Sequence, residues 1–376
     1  MSITLRDVVG TLDDAYPRDL SEDWDAVGLV CGDLDARVAS VLLTVDVTSA
    51  VVEEAVEAGV DLLVAHHPLL LEAVHGVGTD TVKGRLLHRL IGSGVALFTA
   101  HTNADSAAPG VSDALARTIG LTGLAPLDAR AQEPRDLVVV LVPTEAREAL
   151  VDALAAAGAG QVGEYARCAW TTSGVGTFEP GEATSPTTGR PGERVETPED
   201  RVELVVPRAG RERLLAALRS AHPYEEPAFS VLELASWSGP QGLGRVGTLP
   251  QPMSLQAFAE HVARVLPRTN GGVRIAGPVH GQVQRVAVCG GSGDSLVAAA
   301  RASGADVFVT ADLRHHPVSD ALEAGGPWLV DVPHWASEWP WLMGARERIL
   351  ASLDPAGEHL DVVVSRTVTD PWTSRA

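Results

Sequence analysis

Short apolar runs alternate with helix-like segments over the first hundred residues. Apolar runs bounded by turn residues predict buried strands at residues 40–46, 61–65 and 95–100. Residues 49–58 and 81–91 have the polarity pattern of helices that lie between these strands. Such alternation predicts βαβ units around a mostly parallel sheet, that is, an α/β fold.

A weak internal repeat of this pattern appears toward the other end of the chain. An apolar run from Val286, a helical segment at 295–303 and a further apolar run at 305–310 repeat the order found between Val41 and Val64. The early copy ends in the triplet 66–68 (His-His-Pro) and the later copy runs on to 315–317, with the same three residues. We therefore expect two similar α/β halves whose strand ends face a shared cleft.

The middle of the chain follows another plan. Strands are predicted at 137–143 and 202–206, and helices at 144–157 and 210–220, an order that resembles a ferredoxin-like domain. Residues 171–200 are rich in Gly, Thr, Pro and Glu, which predicts a long loop. The expected organisation is one α/β domain, residues 1–130 plus 243–376, with an inserted α+β domain at residues 131–242.

Composition narrows the class of protein and its partners. The chain has 376 residues, 45% of them apolar and 21% charged, which is typical of a globular protein with two or three domains. No apolar run approaches the roughly 20 residues that span a bilayer, and the N-terminus lacks a signal-peptide pattern. A net charge of −20 disfavours binding to nucleic acid. We expect a cytoplasmic protein with a small-molecule substrate, no nucleic acid and no membrane partner.

The strongest chemical signal directly follows the predicted strand 61–65. His66 and His67 stand there, and Pro68 ends the strand because it has no N–H for the ladder. Open α/β sheets bind their ligands at the carboxyl ends of strands, and neutral imidazole is the commonest metal ligand. Neighbouring strand residues face opposite sides, so the backbone must leave strand geometry for both rings to serve one site. From this motif alone, a metal site and ordinary hydrogen-bonded histidines both remain open.

Two further clusters follow other predicted strands. His101 and Asp105 come after the strand 95–100, and His334 and Glu338 come after an apolar run at 328–332. A helix that begins at residue 334 would place His334 and Glu338 on one face through their i,i+4 spacing. A helix cap or a solvated ion pair would explain each cluster separately, but three such clusters behind buried strands favour a common site.

These motifs resemble those of the GTP cyclohydrolase I type 2-like proteins, the YbgI/YqfO group, also called Nif-three-like. Besides the clusters at 66–68, 101–105 and 334–338, the segments that carry the resemblance are 22–29, 158–160, 176–178, 222–228, 242–245 and 289–293. They span nearly the whole chain in the expected order. One departure is that Pro333 and Trp335 flank His334 where the family usually has Gly and Tyr.

The resemblance implies a dinuclear site for two divalent metal ions. Its ligands carry over to His66, His67, Asp105, His334 and Glu338. Nitrogen and oxygen donors without thiolate suit Zn, Fe or Mn and do not choose among them. The resemblance also implies that the inserted domain is PII-like, and that the chain forms a toroidal homohexamer with its metals facing an internal cavity.

His101 and His316 are candidates for catalytic roles, as residues that orient ligands or carry protons. A structural hydrogen bond is an equally good explanation for each of them. The resemblance implies a metal-dependent hydrolase, GTP cyclohydrolase type 2-like, that attacks a nucleotide or small cyclic amide through a metal-bridging hydroxide. The alternative is a non-enzymatic ring that senses metal or a small molecule, or that delivers metal.

Overall fold

The structure, a computed structural model, describes residues 2–354 and 359–375. The fold is mixed α/β with several sheets. The chain divides into two compact units. The first unit comprises Met1–Arg130 and Gly239–Ala376, and the second comprises Ala131–Ser238.

In the described ranges the strands are β1 (Gly28–Cys31), β2 (Ser40–Thr44), β3 (Leu62–Ala65), β4 (Ala96–Thr99), β5 (Thr122–Ala131), β6 (Arg135–Pro143), β7 (Trp170–Phe178), β8 (Val195–Pro207), β9 (Phe229–Glu233), β10 (Ser238–Ser254), β11 (Arg274–Ala276), β12 (Gln282–Ser292), β13 (Val307–Ala311), β14 (Trp328–Asp331) and β15 (Asp361–Val364). The α-helices are α1 (Leu5–Ala15), α2 (Ser49–Ala58), α3 (Val82–Gly92), α4 (Thr102–Ser106), α5 (Val111–Ile119), α6 (Arg147–Ala156), α7 (Arg211–Ala221), α8 (Leu255–Val265), α9 (Val297–Ala302), α10 (His315–Glu323) and α11 (His334–Leu353). None of these helices combines the length and apolarity needed to cross a membrane.

The first sheet of the first unit has the strand order β1-β4-β3-β2-β15. Strands β15, β2, β3 and β4 run parallel, and β1 pairs with β4 in the antiparallel direction. All four residues of β3 are buried, as expected for a parallel strand covered on both faces. The three strands predicted in this region are confirmed as β2, β3 and β4, and the two predicted helices as α2 and α3.

The second sheet of this unit has the order β11-β14-β13-β12-β10-β5, with β12, β13 and β14 parallel. The predicted strand, helix and strand of the internal repeat are present as β12, α9 and β13. The two copies differ where their strands end. His66 directly follows β3, whereas Asp312 directly follows β13, and His315 is the first residue of α10. The second histidine pair therefore belongs to a helix and not to a strand-end turn.

The second unit is a four-stranded antiparallel sheet in the order β7-β8-β6-β9. Helices α6 and α7 complete the chain order βαββαβ and pack on the sheet through a core that includes Val138, Leu150, Leu204 and Leu214. The predicted strands and helices are present, although β8 begins at Val195 and is much longer than the predicted 202–206.

The predicted loop at 171–200 is wrong at both of its ends. Strand β7 covers residues 170–178, and β8 begins at residue 195, so 179–194 alone connects them. The side chains of β7 are mostly exposed, and Gly174 and Gly176 interrupt its sequence. Because β7 is an edge strand held by backbone pairing to β8, it carries no alternation of buried and exposed residues from which a strand would be predicted.

The core of the first sheet connects α11 to the strands. Trp341 and Ala345 of α11 pack with Leu62 and Phe98 of the sheet and with Leu12 of α1 in a single buried cluster. The helix begins at His334 because Pro333, which precedes it, holds an extended conformation. This packing fixes the first turn of α11 beside the carboxyl ends of β3 and β4.

Candidate metal centre

Three elements bring the predicted ligands together in the first unit. His66 and His67 directly follow β3, Asp105 lies in α4 after β4, and His334 and Glu338 lie in the first turns of α11. The N–H groups of His66 and His67 donate to successive carbonyl oxygens, those of Thr44 and Val45. Regular strand geometry would direct these two residues to opposite sides, but both rings reach the same carboxylate, that of Glu338.

Glu338 lies at the centre of the cluster and is almost fully buried. Its Oε1 is 3.5 Å from His66 Nε2 and 2.9 Å from His334 Nε2, and its Oε2 is 3.3 Å from His67 Nε2. Asp105 Oδ1 is 3.8 Å from His66 Nε2. His66, His67, His334 and Glu338 therefore direct their donor atoms into one small volume, and Asp105 lies beside His66 at its edge.

The Nδ1 atom of each ligand histidine is already engaged. His66 Nδ1 is 2.8 Å from the Ala100 carbonyl oxygen, and His67 Nδ1 is 2.7 Å from Asp46 Oδ1. His334 Nδ1 is 2.6 Å from Asp312 Oδ2. In metal sites such partners fix the ring orientation and leave the other nitrogen for the cation. Here, the nitrogen left in each ring is the Nε2 that faces Glu338.

Several of these donor atoms are buried without a hydrogen bond. Within residues 2–354 and 359–375 they are His66 Nε2, His334 Nε2, Asp105 Oδ1 and Glu338 Oε2. His334 Nε2 nevertheless lies 2.9 Å from Glu338 Oε1, close enough for an ion pair when the imidazole is protonated. A buried polar atom left unpaired costs about 1–3 kcal/mol, and ion pairs to a single carboxylate offset only part of that cost for four such atoms. A bound cation would satisfy all of them, and the residues therefore fit a metal site.

The structure contains two overlapping groups of three side chains in which one donor atom from each residue lies within 4.8 Å of those of the other two. The first group is His66, His67 and His101, and the second is His67, His334 and Glu338. Both groups contain His67, and among the described residues the predicted ligand Asp105 belongs to neither. The structure thus contains histidine and glutamate groups that could bind metal, and they adjoin each other.

The electrostatics of the cation-free cluster are those of buried ion pairs. Burial lowers the pKa of His67, but the carboxylates of Glu338 and Asp46 outweigh it and raise that pKa to about 11. For His334, burial is likewise outweighed by Glu338 and Asp312, which raise the pKa to about 9. Burial raises the pKa of Glu338, but the surrounding histidines, His67 first, hold it well below its usual range. Protons on His67 and His334 thus balance the Glu338 charge when no cation is bound.

His66 and Asp105 behave differently because burial dominates. Complete burial lowers the pKa of the His66 imidazole and favours its neutral form, the form that binds metal. Burial, with the nearby Glu338 charge, raises the pKa of Asp105 well above its ordinary value. A carboxyl group held neutral in this way would regain its charge beside a divalent cation.

His101 adjoins the cluster, and its ring centroid is 5.2 Å from that of His66. Its Nδ1 is 2.8 Å from Asp25 Oδ1, and Asp25 also accepts hydrogen bonds from the backbone and hydroxyl of Thr102. Burial raises the pKa of Asp25, but these hydrogen bonds outweigh it, and the pKa is lowered. His101 is therefore oriented by a carboxylate in the same way as His67 and His334.

His316, the other candidate for a catalytic role, is not brought to this cluster. It is exposed on α10, where its ring contacts that of His315. Among the described residues it belongs to neither of the two candidate metal-binding groups.

Sequence reasoning missed three residues that shape the site. Asp46 and Asp312 hold the Nδ1 atoms of His67 and His334; each lies within two residues of a strand's end, a position that is also common for helix caps. Gly291 lies in the 289–293 segment and has φ +66°. A Cβ atom at Gly291 would lie 2.4 Å from Glu338 Oε1 and 3.2 Å from His334 Nε2. Only glycine leaves room for the Glu338 carboxylate there.

The fold and the site together define an α/β protein with a candidate metal centre built at strand ends. The chain belongs to the Duf34/NIF3 (NGG1p interacting factor 3) family, whose sequence model matches residues 3–371. The expected resemblance is thereby confirmed.

Individual relatives match along nearly their whole length. The chain is 49% identical over 373 residues to a Mycobacterium tuberculosis protein described as a GTP cyclohydrolase 1 type 2 homolog, covering 99% of this chain and 97% of that protein. A solved structure, the Bacillus cereus protein related to NIF3, is 34% identical with a TM-score of 0.73 and is matched over 100% of both chains. Staphylococcus aureus protein SA1388 is 28% identical with a TM-score of 0.82, covering 100% of this chain and 99% of that one.

Proposed function

We propose that the protein is a metal-dependent hydrolase that holds two divalent cations through His66, His67, Asp105, His334 and Glu338. The observation that carries this proposal is the convergence of buried ligand atoms that have no hydrogen-bond partner. The donor set of nitrogen and oxygen atoms suits Zn, Fe or Mn.

Glu338 would hold the cations together with the histidines that face its carboxylate. Its two carboxylate oxygens face different histidines, with Oε1 toward His66 and His334 and Oε2 toward His67. One carboxylate could therefore contribute a donor oxygen on the side of His66 and His334 and another on the side of His67.

A pair of such ions, when bound, would lower the pKa of a water molecule and polarise a carbonyl group of the substrate. The residues of the chain would orient the substrate and transfer protons to or from its reacting group. Because the Asp25 carboxylate accepts from His101 Nδ1, the proton of the neutral His101 ring resides on Nδ1. The Nε2 of His101 is therefore the basic atom, and we assign it the transfer of a proton to or from the reacting group.

A cavity of about 770 Å³ adjoins the cluster and is where we place the substrate. His67 and His334 line it on the metal side, and Arg274, Trp372 and Arg375 line it elsewhere. This volume suits a nucleotide or a smaller cyclic amide. Because relatives are described as GTP cyclohydrolase 1 type 2 homologs, we propose GTP as the first substrate to test.

The test compares untagged wild-type protein with Glu338→Gln. Metal content is measured by mass spectrometry, and hydrolysis of GTP and of small cyclic amides is measured after loading with Zn, Mn or Fe. We expect the variant to lose bound metal and turnover together. Glu347→Gln, at an exposed position of the same helix, is the matched control and should change neither.

Two results would count against the proposal in different ways. Turnover that survives complete removal of metal would contradict a metal-dependent reaction. Metal bound in wild type but no turnover of any substrate would favour the alternative, a ring that senses or delivers metal without catalysis.

We also propose that the protein is cytoplasmic and assembles as a toroidal homohexamer, and that the second unit is PII-like. The βαββαβ order of that unit supports a ferredoxin-like assignment, of which PII-like domains are one form. Light scattering after size-exclusion chromatography tests the assembly. A hexamer has six times the mass of the 39.3 kDa chain, and a monomer would contradict it.

A further inference from the structure

A second cavity lies wholly within the second unit. Its volume is about 290 Å³, and segments 176–178 and 224–228 contribute to its lining. The 179–194 connection forms one wall and is fastened at two points. Ser185 N donates to Glu225 Oε2 at 3.2 Å, and the Thr187 hydroxyl donates to the Pro223 carbonyl oxygen at 2.8 Å. The cavity is thus a built feature of the unit, at the lower end of the size of small-ligand pockets.

Glu199 of β8 lines this cavity and is only 8% exposed. Within the described parts of the chain, no Lys, Arg or His forms an ion pair with it. Gly176 faces it across the strands, and a Cβ atom there would lie 1.9 Å from Glu199 Oε2. The glycine therefore leaves the room that this carboxylate occupies.

The nearest histidine does not neutralise Glu199. His222 Nε2 lies 2.8 Å from the Leu141 carbonyl oxygen, to which it donates, and His222 Nδ1 accepts from the Tyr224 N–H at 3.1 Å. One nitrogen donates and the other accepts, so the imidazole is neutral. Burial also lowers the pKa of His222, which keeps it in this form. The Glu199 carboxylate is left without a counter-ion from the unit itself.

Aromatic and apolar groups surround the carboxylate. The rings of Phe178 and Tyr224 lie 5.9 Å apart at the cavity, and Leu141 and Pro180 add apolar surface. The Tyr224 hydroxyl is buried beside the Glu199 carboxylate, and burial together with that carboxylate raises the pKa of the phenol to about 12. A buried carboxylate, two ring faces and a phenol oxygen that can still accept a hydrogen bond together match the requirements of an organic cation.

We propose that this cavity binds a small organic cation, an ammonium or guanidinium group carried on an apolar body. Glu199 is its counter-ion, the rings of Phe178 and Tyr224 pack against it, and the Tyr224 hydroxyl accepts one of its N–H groups. The physical basis is that a buried charge without a partner is costly, whereas a paired one is stable. The proposal does not depend on the metal centre or its chemistry.

The test titrates the full-length protein with benzylammonium chloride by calorimetry, with benzyl alcohol as the neutral probe of the same shape. We expect the ammonium to bind with a dissociation constant below about 1 mM and the alcohol at least tenfold more weakly. Glu199→Gln preserves the volume of the side chain and removes its charge, and it should weaken ammonium binding at least tenfold. Glu196→Gln, an exposed position of the same strand, is the matched control and should bind as wild type does.

Phe178→Leu provides a second, independent variant, because it removes a ring face and keeps the charge. It should weaken binding of the ammonium more than binding of the alcohol. The proposal is overturned if wild type binds neither probe, if both probes bind equally, or if Glu199→Gln binds the ammonium as wild type does. A melting curve for each variant, recorded before titration, establishes that it is folded.

Discussion

Single residues of the candidate metal centre are fixed by partners that lie outside the ligand set. Asp46 and Asp312 each hold the Nδ1 atom of a ligand histidine, and Gly291 leaves space for Glu338. The ligand atoms are therefore positioned before any cation arrives, which reduces the cost of ordering them on binding.

The close approach of Gly291 to Glu338 predicts that a larger residue at this position weakens metal binding. In Gly291→Ala the new methyl group would displace the Glu338 carboxylate, and the positive φ would add backbone strain. We expect metal affinity to fall by about tenfold or more, the range seen when support of a ligand is lost. Competition with a fluorescent chelator measures it.

Gly344→Ala, in the same helix as Glu338, is the control for this substitution. A Cβ atom there has nothing within 4 Å, so this variant should bind metal normally. Wild-type affinity in Gly291→Ala would show that the carboxylate does not need the space.

The raised pKa values of two ligands predict a pH dependence of metal binding. His67, with a pKa of about 11, and His334, with a pKa of about 9, are protonated at neutral pH when no cation is bound. A cation must displace these protons, so its affinity should rise as the pH rises from 6 to 9. Calorimetry in two buffers of different ionisation enthalpy measures the protons released. Affinity that is independent of pH, with no proton release, would contradict this charge distribution.

At the scale of elements, α11 holds two of the five ligands and is anchored by its own core face. Trp341 is almost fully buried, and its ring lies 5.4 Å from that of Tyr16 and 5.3 Å from that of His66. The packing that stabilises the helix thus also contacts a ligand directly.

We predict that Trp341→Ala will destabilise the protein by about 3–5 kcal/mol, because it leaves a large cavity between α11 and the first sheet. Metal retention should fall as well, since His66 loses a packing neighbour. Urea denaturation with and without metal measures both effects. Trp372→Ala, at an exposed site, should stay within about 0.5 kcal/mol of wild type, and an equal effect of the two substitutions would contradict this view of the core.

The elements that sequence predicted well are those whose side chains are buried. Strand β3 has a continuous apolar sequence because both of its faces are covered. The placement of His334 and Glu338 on one helix face was predicted from their i,i+4 spacing and is confirmed by their 2.9 Å contact. Strand β7 was missed because its exposed edge leaves no apolar pattern. Asp312 was missed for another reason, since its partner His334 is 22 residues away and nothing local indicates their contact.

At the scale of the molecule, the first unit is built from two segments of the chain, and the second unit lies between them in sequence. The chain leaves through β5 and returns through β10, and these strands are adjacent in the second sheet. A Cβ atom at Gly242 would lie 2.1 Å from the Asp128 carbonyl oxygen, so these two strands of the first unit approach each other closely there. The first unit also has its own cores and contains all five candidate ligands.

We therefore predict that replacing residues 131–238 with a short Gly-Ser linker leaves a folded first unit. Its metal content per chain should equal that of the full protein, because no candidate ligand lies in the removed segment. Circular dichroism and mass spectrometry of metals check the two parts of this prediction. A folded but metal-free product would show that the centre requires the second unit.

Anomalous X-ray diffraction from crystals soaked with Mn or Zn tests the central claim most directly. Two anomalous peaks should appear among His66, His67, Asp105, His334 and Glu338. Full-occupancy metal elsewhere, with no anomalous signal at these five residues, would contradict the account.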